Sequence, residues 1–109
     1  MNSKEYEPAK TGNYLSEIEY APGAIVSKII IKKESGNVTL FAFDKEQELS
    51  EHTAPFDALV HILEGIAKIF IDKEEHFIRA GEFIIMPANI PHAVFAEDKF
   101  KMVLTMIKS

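Results

Sequence analysis

The sequence predicts an all-β fold, an antiparallel sandwich or barrel of eight or nine short strands in one domain. Two observations carry this reading. From Gly23 onward, turn residues punctuate apolar, β-branched runs about every eight to twelve positions. No stretch holds a helical period for three turns, and a bundle would have to run through Gly and Pro. Closing such a sheet on itself removes the bare edges that template aggregation. At 109 residues the chain can bury a single core and has no room for a second domain.

Residues 1–22 are weakly patterned, with Pro8, Gly12 and Pro22 as breakers. They read as an irregular arm that adds a short strand near Tyr14–Tyr20. Its three tyrosines are all the protein has, and they are expected to pack the arm onto the barrel or onto a partner. The domain proper runs from 23 to 109. Ile25–Lys33 reads as a strand, and the ESGN turn at Glu34–Asn37 leads into Val38–Asp44, apolar on both faces. Gln47–His52 is a shorter polar strand or loop, and Phe56–Leu63 is a strand closed by Glu64–Gly65. Ile66–Asp72 returns antiparallel. His76–Arg79, Phe83–Met86, His92–Ala96 and Phe100–Ile107 follow, separated by the DKEE, AGE and PANIP turns and a final short connection.

Composition narrows the function. The net charge is −5, the single arginine is Arg79, and the longest basic run is Lys32–Lys33, so the footprint of a nucleic-acid binder is missing. Arg79 reads as a surface charge, and neither an Arg fork nor a Gly-rich loop is present for a large anionic substrate. Cysteine is absent, which rules out disulfides, thiolate catalysis and Cys-based zinc sites, so any metal must use His, Asp or Glu. The N-terminal MNSKEYEPAK is polar, and no apolar run approaches the roughly 18 residues of a membrane span. The expected address is the cytoplasm.

Two stretches concentrate the chemistry. HTAPFDALVHILEG at His52–Gly65 and GEFIIMPANIPH at Gly81–His92 each bring one histidine to the edge of an apolar strand. Alternation along a strand puts Ala58, Val60 and Ile62 on one face and Asp57, Leu59, His61 and Leu63 on the other. With His52 inward, the even set lines the interior and His61 sits on the outside. His76 shares parity with Ile78 and could approach the barrel mouth. The stripe Phe100, Met102, Leu104 and Met106 reads as core filling, although methionine also suits an adaptable apolar pocket, with Met86 nearby.

These stretches resemble the two motifs of the cupin superfamily, small double-stranded β-helix (jelly-roll) barrels that often dimerise. Anchored on Gly65, the first motif places its opening glycine on Glu46, its His-x-His on His52 and Ala54, and its glutamate on Ala58. A shifted register would use Ser50, His52 and Asp57, but it breaks the six-residue spacing to Gly65. In the second motif Gly81, Pro87 and His92 match, Asn89 stands for the glycine and Ala96 for the final asparagine. The resemblance covers Gly23 to the end. Family members typically hold Mn, Fe, Ni, Cu or Zn with three His and one Glu, a set of which this chain keeps His52 and His92.

Fold alone does not select a chemistry, and two functions stand. One is a binding protein whose small-molecule ligand lies in the barrel among His52, Ala58, Val60, Ile62, Met86, His92 and Met102. In it a divalent transition metal (Zn, Ni, Mn or Fe) is at most weakly held by His52 and His92. The other is a metal-dependent dioxygenase or isomerase using the same two histidines, although retention of an ion usually takes three protein ligands. A sugar epimerase fits less well, with no tyrosine on a barrel strand. A homodimer is expected, because Val38–Phe43 is apolar on both faces and Leu59 and Leu63 lie on the outer side.

Overall fold

The computed structural model describes residues 6–108. Nine strands form two facing antiparallel sheets: β1 (Ile25–Lys33), β2 (Gly36–Phe43), β3 (Glu48–His52), β4 (Asp57–Glu64), β5 (Ile66–Ile71), β6 (Glu74–Arg79), β7 (Phe83–Met86), β8 (His92–Phe95) and β9 (Phe100–Ile107). The larger sheet has the order β1-β2-β9-β4-β7 and the smaller β3-β8-β5-β6, so consecutive strands repeatedly cross between layers. This is the expected all-β jelly-roll. Strand ends moved by up to two residues: β2 begins at Gly36, and β6 begins at Glu74 because Asp72 and Lys73 alone make the turn, both at positive φ. Two such residues form the mirror-image turn whose twist suits a two-residue hairpin.

Alternation sorts the side chains. Phe43, Val60, Ile62, Ile69, Val94, Phe100 and Met102 fill the interior at 0–2% exposure. Phe43 and Phe100 stack there, with ring centroids 4.6 Å apart and planes 13° from parallel. Leu104 and Met106 continue the inward stripe of β9 against this core.

The arm supplies a second, outer core. The short strand expected near Tyr14–Tyr20 is instead a single helical turn, α1 (Tyr14–Glu17), whose N-cap Asn13 side chain accepts from the Leu15 N–H at 2.9 Å. An Asn cap satisfies a donor that a helix start otherwise leaves unpaired, and a strand offers no equivalent partner for it. Beyond the turn, Ile18 and Tyr20 cover Leu40, Ala42 and Val103 on the outer face of the larger sheet. Lys101 on that face is 8% exposed, its ammonium donating to the Leu15 carbonyl at 2.8 Å, and the Tyr20 hydroxyl donates to Glu64 at 2.6 Å. The outward side of Val38–Phe43 is thus largely covered by the chain's own N-terminal segment.

Candidate functional site

The two histidines meet across a strand pair. On β8, Val94 points inward, as does Ala96 just beyond the strand, and His92 shares their parity at 5% exposure. On β3, Leu49 pairs with Val94 and also faces the core, so strict alternation would send His52 outward. Between Leu49 and His52, however, the ladder gains one residue: three steps on β3 match two on β8. This bulge restores His52 to the side of its partner, as an inserted residue re-aims the side chains beyond it. The imidazole centroids lie 4.4 Å apart with planes at 69°, edge to face, and His52 keeps its other side open to solvent.

Each ring is oriented by its own backbone. His52 Nδ1 lies 2.8 Å from the Ser50 carbonyl and His92 Nδ1 lies 3.2 Å from the Ile90 carbonyl. A carbonyl can only accept, so Nδ1 is the donor in both rings, and the neutral form of either ring carries its lone pair on Nε2. Burial holds the His92 pKa below the usual histidine value, and the neighbouring His52 adds to the effect against the Ile90 carbonyl, which favours the charged ring. At neutral pH His92 is therefore the neutral, lone-pair-bearing form.

The loops that follow His52 and precede His92 close this end of the barrel. Asn89 N–H donates to the Ala54 carbonyl at 2.7 Å, and Ala88 N–H to Asp57 Oδ1 at 2.8 Å. Ala58 and Met86, direct cross-strand partners, lie where these loops join their strands, with Met106 beside them. Val60 is one row deeper. Ile62 and Met102 pair near the far end, next to Phe100, so the expected ligand-binding set spans the whole barrel and only Ala58 and Met86 border the histidine end. Ile71, opposite His92 on β5, and Leu49 also belong to this end, and neither was anticipated. Those neighbours come from pairings between distant segments, which no local pattern announces.

The remaining candidates lie elsewhere. His61 is on the outer face of β4, opposite Val103 and Phe83. His76 faces inward in the row of Ile69 and Val94, on β6, two strands from β8 and three from β3, and sits 3.9 Å from Glu74. Among the described residues no group of three or more His, Cys, Asp or Glu side chains is placed to hold a metal ion. Three surface cavities among the described residues are lined by neither His52 nor His92. No described helix is long and apolar enough to cross a membrane.

The backbone carries a family imprint that the side chains have partly lost. All four glycine positions of the two motifs have left-handed φ values: Gly65 at 81°, Gly81 at 89°, and also Glu46 at 70° and Asn89 at 66°. Asn tolerates this region well and Glu poorly, so the chain retains a glycine-like turn at Glu46 despite a Cβ.

Comparison with known proteins agrees. The family model described as "Cupin domain" matches residues 39–108. A conserved protein of unknown function from Streptococcus pyogenes superposes with a TM-score of 0.90 at 35% identity, over 100% of this chain and 96% of that one. A cupin 2 conserved barrel domain protein from Leptotrichia buccalis is 42% identical with a TM-score of 0.84, covering 86% of this chain and 46% of the other, so this chain spans about half of that protein. A cupin superfamily protein from Desulfitobacterium hafniense shares the fold over both full lengths, with a TM-score of 0.89 at 23% identity. No curated protein matches the chain in sequence. Two motifs in register, their four left-handed turns and the matched domain together place this chain in the cupin family.

Proposed function

We propose that the protein binds a small molecule at the barrel end where His52 and His92 meet, and that a divalent transition metal (Zn, Ni, Mn or Fe) is held there only weakly. The pairing of two imidazoles at 4.4 Å, each held through Nδ1 by a backbone carbonyl, is the observation that carries this reading. Neutral imidazoles this close can accept from a hydroxyl or ammonium donor, or supply up to two ligands to a metal ion. The set does not fit a retained ion of the three-His, one-Glu kind, because Ala54 and Ala58 stand at the other ligand positions and no carboxylate offsets the charge. Ala58 and Met86 flank the ligand, and Val60, Ile62 and Met102 form the packed floor. The alternative, a metal-dependent dioxygenase or isomerase, lacks a third protein ligand in this arrangement. The cytoplasmic address expected from the sequence remains part of the proposal.

Native mass spectrometry and elemental analysis of untagged protein, with Zn(II) or Ni(II) titrated in while both imidazoles are followed by NMR, test the reading. The expected result is an organic adduct or substoichiometric metal, with both rings shifting together and the metal response lost in His92→Gln. Near-stoichiometric metal surviving that substitution would transfer the case to the enzyme reading and to other residues.

A homodimer belongs to the same proposal, supported by apolar residues that stay exposed on the outer face of the larger sheet although the arm packs on part of it. One cross-strand row there reads Ile31, Val38, Thr105, Leu59, Ile85 through all five strands. Ile31 is 44% exposed and Ile85 55%, with Phe83 at 67% and Ile107 at 57% beside them. Exposed apolar residues on one sheet face suit a self-complementary two-fold contact. Sedimentation should show a dimer for the wild type and monomer or aggregate for Ile85→Glu; a monomeric wild type at high concentration refutes the assembly.

A further inference from the structure

We propose that the outer face of the smaller sheet carries a second binding site, for a small carboxylate with an aromatic or branched apolar body. It lies on the opposite side of that sheet from His52 and His92, and it does not depend on the function proposed for them.

The outward positions of β5 and β6 set one apolar residue beside one cation twice over: Ile66 opposite Arg79, and Lys68 opposite Phe77. Together with the Asp98–Lys99 turn they border a groove of about 470 Å³, within the range of small-ligand sites. Ile66 and Phe77 are each 45% exposed along its wall, apolar surface that gains from a cover.

The charges in the groove are not equivalent. Lys68 is already committed, 3.0 Å from Glu75 and 3.2 Å from Glu97, with its ammonium 5.6–6.0 Å from the ring centroids of Phe70, Phe77 and Phe95. The hydrogen bonds to Glu75 and then Glu97 raise its pKa, so it stays charged and cancels Glu97. Asp98 Oδ1 accepts from the Lys99 backbone N–H at 2.8 Å, a contact that orients the carboxylate without neutralising it. Among the described residues neither Arg79 nor the Lys99 ammonium forms an ion pair, and Lys99 rests 4.9 Å over the Tyr20 ring. Lys68, Arg79 and Lys99 thus meet Glu75, Glu97 and Asp98 around the groove, so its pull on a carboxylate comes from the unpaired Arg79 guanidinium, with Lys99 beside it, rather than from a net charge.

Complementarity follows from these parts. A guanidinium presents a planar fork matched to a carboxylate, and Lys99 adds a point charge. The ligand body would cover Ile66 and the Phe77 ring. Inorganic phosphate offers nothing to that wall, and a neutral amide offers Arg79 a single carbonyl acceptor without the charge or the second oxygen of a carboxylate.

Phenylacetate is a suitable probe, titrated into isotope-labelled protein and followed by amide shifts. We expect saturable shifts at Gly65, Ile66, Phe77, Arg79 and Lys99 with a dissociation constant of about a millimolar. Phenylacetamide, inorganic phosphate, and the Arg79→Gln and Lys99→Gln variants should each bind about tenfold more weakly or worse. The substituted side chains are at the surface, and unchanged amide spectra elsewhere verify that the variants remain folded. Absence of saturation well above that concentration overturns the site. So does equal binding of phenylacetamide, undiminished affinity in the double variant, or shifts clustered around His92.

Discussion

Phe100→Ala is expected to lower the unfolding free energy by about 3–5 kcal/mol, a large fraction of the roughly 5–15 kcal/mol that holds a domain of this size. The ring is fully buried and stacks on Phe43 at 4.6 Å, so its removal empties a space that strands on both sheets border. Phe43→Ala should cost a similar amount. The double substitution should cost less than the sum, since the second ring loses a partner already gone; aromatic pairs of this kind couple by about 0.5–1.5 kcal/mol. Urea unfolding followed by circular dichroism measures all three. A single-variant loss of under about 1 kcal/mol would show that the pair is not the centre of the core.

The stacked pair also shows what the sequence could and could not reveal. Phe100 heads a stripe with Met102, Leu104 and Met106, and period-two alternation was enough to assign it to the inside. That it meets Phe43 depends on β9 pairing with β2 across more than fifty residues of chain, a fact of topology rather than of pattern. The same division holds at the histidines. Spacing to Gly65 and Gly81 marked His52 and His92, and alternation within β4 correctly separated Ala58, Val60 and Ile62 from Leu59 and His61. That parity does not extend back to His52, because a loop intervenes and it is the β3 bulge that turns this exposed ring to the side of His92. Nothing in the ELSEH segment marks that bulge. The short strand expected near Tyr14–Tyr20 within the irregular arm is replaced by a helical turn for a related reason: the segment has strand-like residues, but Asn13 offers a cap and Ile18 finds a pocket that exists only once β2 and β9 are paired.

Gly65→Ala should destabilise the fold by about 2–6 kcal/mol, combining about 1–3 for a left-handed non-glycine residue with about 1–3 for overpacking. The φ of 81° is one that side chains other than glycine rarely adopt. A Cβ there would also come within 2.6 Å of the Lys99 carbonyl oxygen and 2.9 Å of Phe100 Cβ, atoms fixed by the start of β9 and by the stacked core. The β4–β5 turn therefore needs glycine for two separable reasons. Gly81 isolates the first of them, since its φ is 89° but nothing lies within 4 Å of the Cβ it lacks. Gly81→Ala should thus cost only the conformational part, about 1–3 kcal/mol. Thermal and urea unfolding of the two variants in one buffer gives the difference directly. A gap of about 1–3 kcal/mol with Gly65 the costlier assigns the excess to the approach of β9, whereas equal losses would mean that the Lys99–Phe100 backbone yields freely and that only the turn conformation matters at this end of the barrel.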